Sequence, residues 1–448
     1  MKHFDLLVIG GDAAGMSAAS QARRVNESMT IGVFDRGKHV SYAACGMPYY
    51  ISGQIADHRS LIAIDKDEFI EKKNIDIRND AEAVKTDFTA KTVTIRTPDG
   101  DTEYGYDKLV IATGARAFRP PIPGGDADTI FYLRNLAQGM AIREYVEKKK
   151  PSRGLIIGGG FIGLEMAEAF RSMGIDTVIL ERLESVAMGM SSDVRGRIAE
   201  KLKENGVTVH TGMAIERIDK KGTGLSVRTD NGAFDADFII ISTGVLPNTE
   251  FLKGSPLAMT ERGAIIINEK SETGIPGVYA AGDCATVKHL VTGKDVYMPL
   301  GSTANKQGRV AGLQAAGVSA EIFPGIVGSQ FVKIFDLEVG KTGLNADDAA
   351  REGIEAVSDS TVWKSRAGYC PRAQKIYITL TADKGSRKVI GGEVIGTDGA
   401  ALRTNIIATA ITAGMTIEQL AYLDLGYAPP FSPVWDPVNA MAQKMVKR

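Results

Sequence analysis

The chain is predicted to be an α/β protein built from two Rossmann-like dinucleotide-binding units and a C-terminal α+β unit. Three observations predict this. A strand, a glycine turn, a helix and a second strand ending in an acid occur twice, roughly 150 residues apart. Each of these units is followed by an apolar strand that closes on Thr-Gly. From about Pro324 the texture changes to short alternating runs, such as 330–335 and 375–380, that read as antiparallel strands.

In the first unit, Asp5-Leu6-Leu7-Val8-Ile9 leads into Gly10-Gly11-Asp12-Ala13-Ala14-Gly15 and a helix to about Arg24. A strand over 29–34 then ends at Asp35. In the second, Leu155-Ile156-Ile157 leads into Gly158-Gly159-Gly160-Phe161-Ile162-Gly163, a helix to about Met173, and a strand ending at Glu181. The Thr-Gly strands end at Thr113-Gly114 and Thr243-Gly244, and another apolar strand ends at Gly282-Asp283. Helical segments are expected over 400–413 and 416–423. The domains predicted are 1–118 with 246–323, then 119–245, then 324–448.

Bulk properties narrow the function. At 448 residues the chain needs more than one core. Apolar residues at 44% and charged residues at 24% fit a soluble globular protein, and a net charge of −1 argues against nucleic acid or anionic membrane. No run of eighteen apolar residues offers a membrane span, and the N-terminus lacks the form of a signal peptide. Three cysteines without a CxxC pair and five histidines without ligand spacing predict no disulfide framework and no metal site. A cytoplasmic location follows from the same cysteine usage.

The glycine turns carry the cofactor expectation. A diphosphate is held by the free N–H groups and dipole of a helix N-terminus, and side chains at the turn would obstruct its approach. Gly158, Gly160 and Gly163 complete GxGxxG in its strand–helix setting. Phe161, Ile162 and Gly244 complete the predicted nicotinamide dinucleotide site. Glu181 can bind a ribose diol and repel a 2′-phosphate, which favours NADH, while Arg182 keeps NADPH open. In the first unit Asp12 replaces the central glycine. Asp35 nevertheless stands at the proper strand end, and Asp283 can reach a ribityl chain. FAD is therefore expected there, with Gly10, Gly11, Ala14, Gly15, Asp35, Arg36, Thr113, Gly114 and Asp283 as its binding residues. A nicotinamide supplies hydride and a flavin accepts two electrons, so the pair implies electron transfer to a third group.

Cys45 is the candidate for that group. It lies in Ser41-Tyr42-Ala43-Ala44-Cys45-Gly46-Met47-Pro48-Tyr49-Tyr50, shortly after the first βα unit. A cysteine at the start of a helix is expected to have a lowered pKa and to act as a thiolate. Cys284 and Cys370 read as packing residues.

Over essentially its whole length the chain resembles the pyridine nucleotide–disulfide oxidoreductases. It departs from their dithiol members, since Tyr50 stands where a second cysteine would follow Cys45 and no histidine occurs beyond His289. The single-cysteine branch remains. Peroxidases and many oxidases of that branch place a histidine in the first glycine turn, where this chain has Ala13. The run 41–49 and the tail Tyr427-Ala428-Pro429-Pro430-Phe431-Ser432 are similar to motifs of coenzyme A disulfide reductases. The resemblance implies catalytic roles for Cys45, Tyr427 and Tyr369, the tyrosines coming from the partner subunit of a homodimer. A phenol near pKa ~10 can protonate a departing thiolate. It also implies coenzyme A contacts at Ser17, Gln21, Arg24, Ser41, Lys73 and Asn305. Ala44, where some relatives have asparagine, and Cys370, where many have tyrosine, depart from the pattern. The expected reaction is NAD(P)H-driven reduction of coenzyme A disulfide. Alternatives are reduction of oxygen through a sulfenic acid, of per- or polysulfides, or a flavin redox sensor. The lack of an appended rhodanese domain counts against the persulfide reading.

Overall fold

The computed structural model describes residues 1–447. Four strands lie parallel in the order Asp76–Arg78, Ile31–Phe34, Lys2–Ile9 and Gly100–Ile111. The last of these is long enough to serve two partners. Its first half pairs antiparallel with Thr92–Thr97, and its end pairs parallel with Val278–Ala280. The chain thus returns to the first sheet after leaving it for more than a hundred residues.

A second parallel sheet runs Val207–His210, Asp176–Leu180, Arg153–Ile157, Phe238–Ile241 and Ile130–Phe131. Their fully buried Ile and Leu runs are what a parallel sheet covered on both faces requires. An antiparallel sheet of Ile215–Lys221, Gly224–Thr229 and Gly232–Ala236 flanks it, a feature the sequence reading did not anticipate. Strands Ala115–Ala117 and Val245–Pro247 pair at the crossing between the two parallel sheets.

The C-terminal part is a five-stranded antiparallel sheet in the order Gln330–Ile334, Leu337–Gly343, Val389–Gly396, Lys375–Asp383 and Ala356–Lys364. Helix Ala400–Thr412 packs so closely on it that a Cβ at Gly340 would fall 2.1 Å from Thr404 Oγ1. The sheet's Val332, Ile334, Leu337, Val339 and Ile395 share a core with the second parallel sheet. A Glu168–Lys333 ion pair and the Phe335 N–H donating to Glu168 at 2.8 Å join the two units.

Several expected boundaries move. The strand expected over 29–34 begins only at Ile31, and that over 375–380 extends to Asp383. Helix Pro437–Val446, its Val438 N–H donating to the Asp436 side chain at 3.0 Å, was not foreseen. Among the described residues no helix is long and apolar enough to cross a membrane.

Candidate functional site

Both glycine turns sit at the carboxyl ends of parallel strands, where open α/β sheets bind their ligands. Gly10 has φ +106°, and a Cβ on it would lie 2.1 Å from the Ala112 carbonyl oxygen. Gly15 allows helix Ala13–Val25 to start hard against the strand, since a Cβ there would meet Gly10 O at 1.8 Å. Gly158 (φ +107°) and Gly163 repeat this arrangement in the second unit. The acids repeat as well. Asp35 accepts from the N–H groups of Gly11 and Gly37, both at 2.6 Å. Glu181 accepts from Gly159 at 2.6 Å and Leu183 at 2.8 Å. Each carboxylate thereby fixes its turn from the end of the neighbouring parallel strand.

The remaining predicted cofactor residues gather around these turns. Ala14 packs beneath the Gly282 turn, and the buried Thr113 hydroxyl lies against the Cys284 thiol. Gly114 (φ +63°) accepts from Asn248 N–H at 2.9 Å, and Gly244 (φ +109°) accepts from Phe118 N–H at 2.8 Å. Phe161 and Ile162 open helix Phe161–Ser172 and are half-buried. Arg36 is exposed, 3.9 Å from Glu82. Two glycine turns whose first and last glycines admit no Cβ, each with an acid at the end of the following strand, fit two dinucleotides.

Cys45 is placed by its loop. Ser41 takes φ +52°, its N–H donating to Gly11 O at 2.9 Å, while Tyr42 N–H donates to Asp12 Oδ1 at 3.2 Å. Ala43 N–H donates to Leu61 O at 2.7 Å. These bonds fasten the cysteine loop to the first glycine turn. Cys45 then occupies the short 3-10 turn Ala44–Gly46, ahead of helix Met47–Ile51. Arg143 holds the far end, donating to the carbonyls of Tyr50, Ile55 and Ala56 at 3.0 Å each.

The electrostatics correct the expected thiolate. Cys45 is an exposed residue, yet surrounding atoms withhold water from its thiol, and this desolvation raises its pKa above the ordinary value. Glu165 raises it further, Arg134 opposes the rise, and Asp283 and Asp12 add to it. The following helix has only five residues, too short for its dipole to outweigh three carboxylates.

Three of those groups escaped the sequence reading. Glu165, in the first turns of helix Phe161–Ser172, is raised to about 7 by desolvation and by Glu168. Its position two residues past Gly163 was the available signal. Asp12 is raised to about 6, chiefly by desolvation, with Asp35 adding to the rise. Arg134, ion-paired with Asp283 and donating to Ala115 O at 3.0 Å, lies 89 positions from Cys45, and no local motif marks it.

The tyrosines and the coenzyme A candidates lie elsewhere. Tyr369 and Tyr427 face one another at 3.3 Å between hydroxyls and are exposed, as are Tyr422, Phe431 and Trp435 in the same C-terminal unit. Neither hydrogen-bonds Cys45 within the chain, among the described residues. Cys284 is fully buried and donates to Ile111 O at 3.3 Å. Ser17 donates to Asn305 at 2.9 Å, and Arg24 donates to the buried Gln21 at 2.8 Å. The Lys73 ammonium lies 4.6 Å from the Phe69 ring centroid, and Ser41 belongs to the cysteine loop.

The family model for pyridine nucleotide-disulphide oxidoreductase matches residues 4–308, and that for the dimerisation domain of the same family matches 329–437. A Pyrococcus horikoshii NAD(P)H coenzyme A polysulfide/persulfide reductase is 37% identical, over 98% of this chain and 97% of the relative. A Staphylococcus haemolyticus coenzyme A disulfide reductase is 29% identical, over 98% of each. The crystal structure of reduced Bacillus anthracis CoADR-RHD superposes with a TM-score of 0.96 at 35% identity, over 100% of this chain and 81% of that one. The P. horikoshii relative is nearly coextensive with this chain, so a persulfide reductase need not carry an extra domain, and the argument against that reading falls. The chain belongs to the pyridine nucleotide-disulphide oxidoreductase family and is an FAD- and NAD(P)H-dependent oxidoreductase.

Proposed function

We propose that the protein reduces coenzyme A disulfide, or mixed disulfides of coenzyme A, through Cys45 alone. The observation that carries this reading is a thiol anchored to the first glycine turn with no second cysteine in its loop. A lone thiol must borrow its partner sulfur from the substrate, and a small thiol such as coenzyme A can remain on it as a mixed disulfide. FAD, when bound, supplies two electrons drawn from the nicotinamide. Those electrons cleave the mixed disulfide, leaving Cys45 as thiolate and releasing coenzyme A once it gains a proton. The Cys45 thiolate then attacks a sulfur of the next coenzyme A disulfide, re-forming the mixed disulfide and expelling a second thiolate. Tyr427 protonates that leaving group and Tyr369 hydrogen-bonds Tyr427.

Because the tyrosines are exposed and bond only each other within this chain's described residues, we assign them to the site of a second copy in a homodimer. Glu181 makes NADH the preferred donor. We also assign the FAD, NAD(P)H and coenzyme A contacts as the sequence predicts them, and the domains as 1–118 with 246–323, 119–245 and 324–448.

Intact-mass spectrometry with and without reductant tests the reading. A reductant-labile adduct of coenzyme A mass on Cys45 is expected, together with NADH consumption matched to thiol release from coenzyme A disulfide. An added oxygen alone would overturn it in favour of oxygen reduction. A second reading rests on the 37% identity to the P. horikoshii enzyme: the same thiolate attacking a coenzyme A persulfide. Faster turnover with coenzyme A persulfide than with the disulfide would make that the main activity.

A further inference from the structure

The segment from Glu181 to Ser191 joins strand Asp176–Leu180 to helix Ser192–Glu204 without regular structure, and it is gripped from two sides. One grip is the second glycine turn. The Glu181 carboxylate accepts from the Gly159 N–H at 2.6 Å, and the Ala187 N–H donates to Gly159 O at 2.9 Å. Val186 is buried and so close that a Cβ at Gly159 would fall 2.5 Å from its Cγ1. Ala187 takes φ +52°, a left-handed conformation that a residue with a Cβ keeps only where its surroundings impose it.

The other grip is the C-terminal sheet. Lys341 and Glu393 stand opposite one another on strands Leu337–Gly343 and Val389–Gly396. The Lys341 ammonium donates to Gly189 O, and the Glu393 carboxylate accepts from the Ser191 N–H at 2.9 Å. One cross-strand pair thus supplies a donor and an acceptor to backbone groups two residues apart in the loop. Lys341 is anchored in turn by Asp348 at 2.6 Å. Glu393 is the single charged residue of a strand buried along its whole length, and it is itself 2% exposed. A carboxylate in such a place is costly unless it is bonded, and its partners are the Ser191 N–H and, at 3.5 Å, the Asn345 amide.

We propose that Lys341 and Glu393 are positioning residues for the nicotinamide donor: through Gly189 and Ser191 they set the shape of the loop that closes the adenosine end of the second dinucleotide site. The inference goes beyond the reaction proposed above and rests on the donor occupying the second glycine turn. Loop and turn form one body, because Glu181, Val186 and Ala187 all bear on Gly159. The loop also exposes Leu183 and Met188, apolar surface that an adenine ring can cover. The clamp therefore governs how tightly the donor is held and leaves hydride transfer at the far end of the dinucleotide untouched.

The test follows flavin reduction in the FAD-loaded full chain by stopped flow, which separates the Kd of the donor from the limiting rate. Lys341→Met and Glu393→Leu should each raise the Kd for NADH about tenfold, with limiting rates within about twofold of the wild type. Glu393→Gln keeps an acceptor for Ser191 and should stay within about threefold. Reduced nicotinamide mononucleotide, which has no adenosine half, should reduce every variant at the wild-type second-order rate. Flavin spectra and cooperative thermal unfolding show which variants are folded, and Lys341→Met decides alone if Glu393→Leu is not. A wild-type Kd for NADH in the folded variants would overturn the clamp. So would equal losses with the mononucleotide, or a loss in Glu393→Gln as large as in Glu393→Leu. Glu181→Ala is the control. If it binds NADH as the wild type does, the placement of the donor at the second turn fails and the clamp with it. Weakened binding in Glu181→Ala alone sinks only the clamp.

Discussion

The two glycine turns share their geometry, and the difference that matters most between them is at the middle glycine position. Both have an outer glycine at φ near +107°, a final glycine against the first carbonyl, and an acid accepting from the turn's second N–H at 2.6 Å. At the middle position the second turn has Gly160, where a Cβ would meet nothing within 4 Å. The first has Asp12, turned away to accept the Tyr42 N–H. The open turn suits a ligand that enters and leaves at every cycle. The tied turn bonds the loop that bears Cys45, at the cost of a buried carboxylate, and in the proposed assignment it would couple a retained FAD to that loop.

The largest effects should come from the shared closing glycines. Gly15→Val forces a side chain onto Gly10 O, at a cost of ~3 kcal/mol or more, and the purified protein should lack flavin absorbance. Gly163→Val should keep its flavin and lose NADH reduction in stopped flow. Identical losses in both variants would mean that the turns do not serve separate ligands.

Next come the acids. Asp35→Ala should weaken FAD retention, and Glu181→Ala should raise the KM for NADH, each by roughly 10- to 100-fold for a lost charge-assisted bond. Dialysis and steady-state kinetics measure the two. Cross effects, with Glu181→Ala shedding FAD, would break the parallel.

Asp12 sharpens the contrast through pH. Its folded pKa is raised to about 6 from the usual 3.8, so the folded state holds the extra proton between those values. Stability from this group is present below about 3.8 and is lost as pH rises through about 6. Asp12→Asn keeps an acceptor for Tyr42 and removes that loss. Its thermal midpoint should gain on the wild type between pH 4 and 7, by the equivalent of up to about 3 kcal/mol. A constant difference across that range would show that Asp12 is ionised throughout. Gly160→Ala should be mildest, with an unchanged thermal midpoint and a several-fold higher KM for NADH.

Much of this was readable beforehand because it is local. A turn, its helix and its acid lie within about thirty residues, and a helix start dictates which positions must be glycine. The flanking sheet over 215–236 was missed because its short strands carry little periodicity, with mixed polar faces. The charge around Cys45 was misjudged for a different reason. Asp12, Arg134, Glu165 and Asp283 reach it from four separate elements, and only the packing of two units on one another brings them together. Reading a helix N-terminus from sequence supplied a lowered pKa, whereas that helix proved five residues long and ringed by acids.

The account stands on Cys45 as the sole relay between flavin and acceptor. Cys45→Ser should be examined anaerobically with NADH and coenzyme A disulfide, following flavin reduction and thiol release together. Flavin reduction at close to the wild-type rate, with thiol release at least ~1000-fold slower, is the predicted result. Thiol release from the serine variant at near the wild-type rate would contradict it.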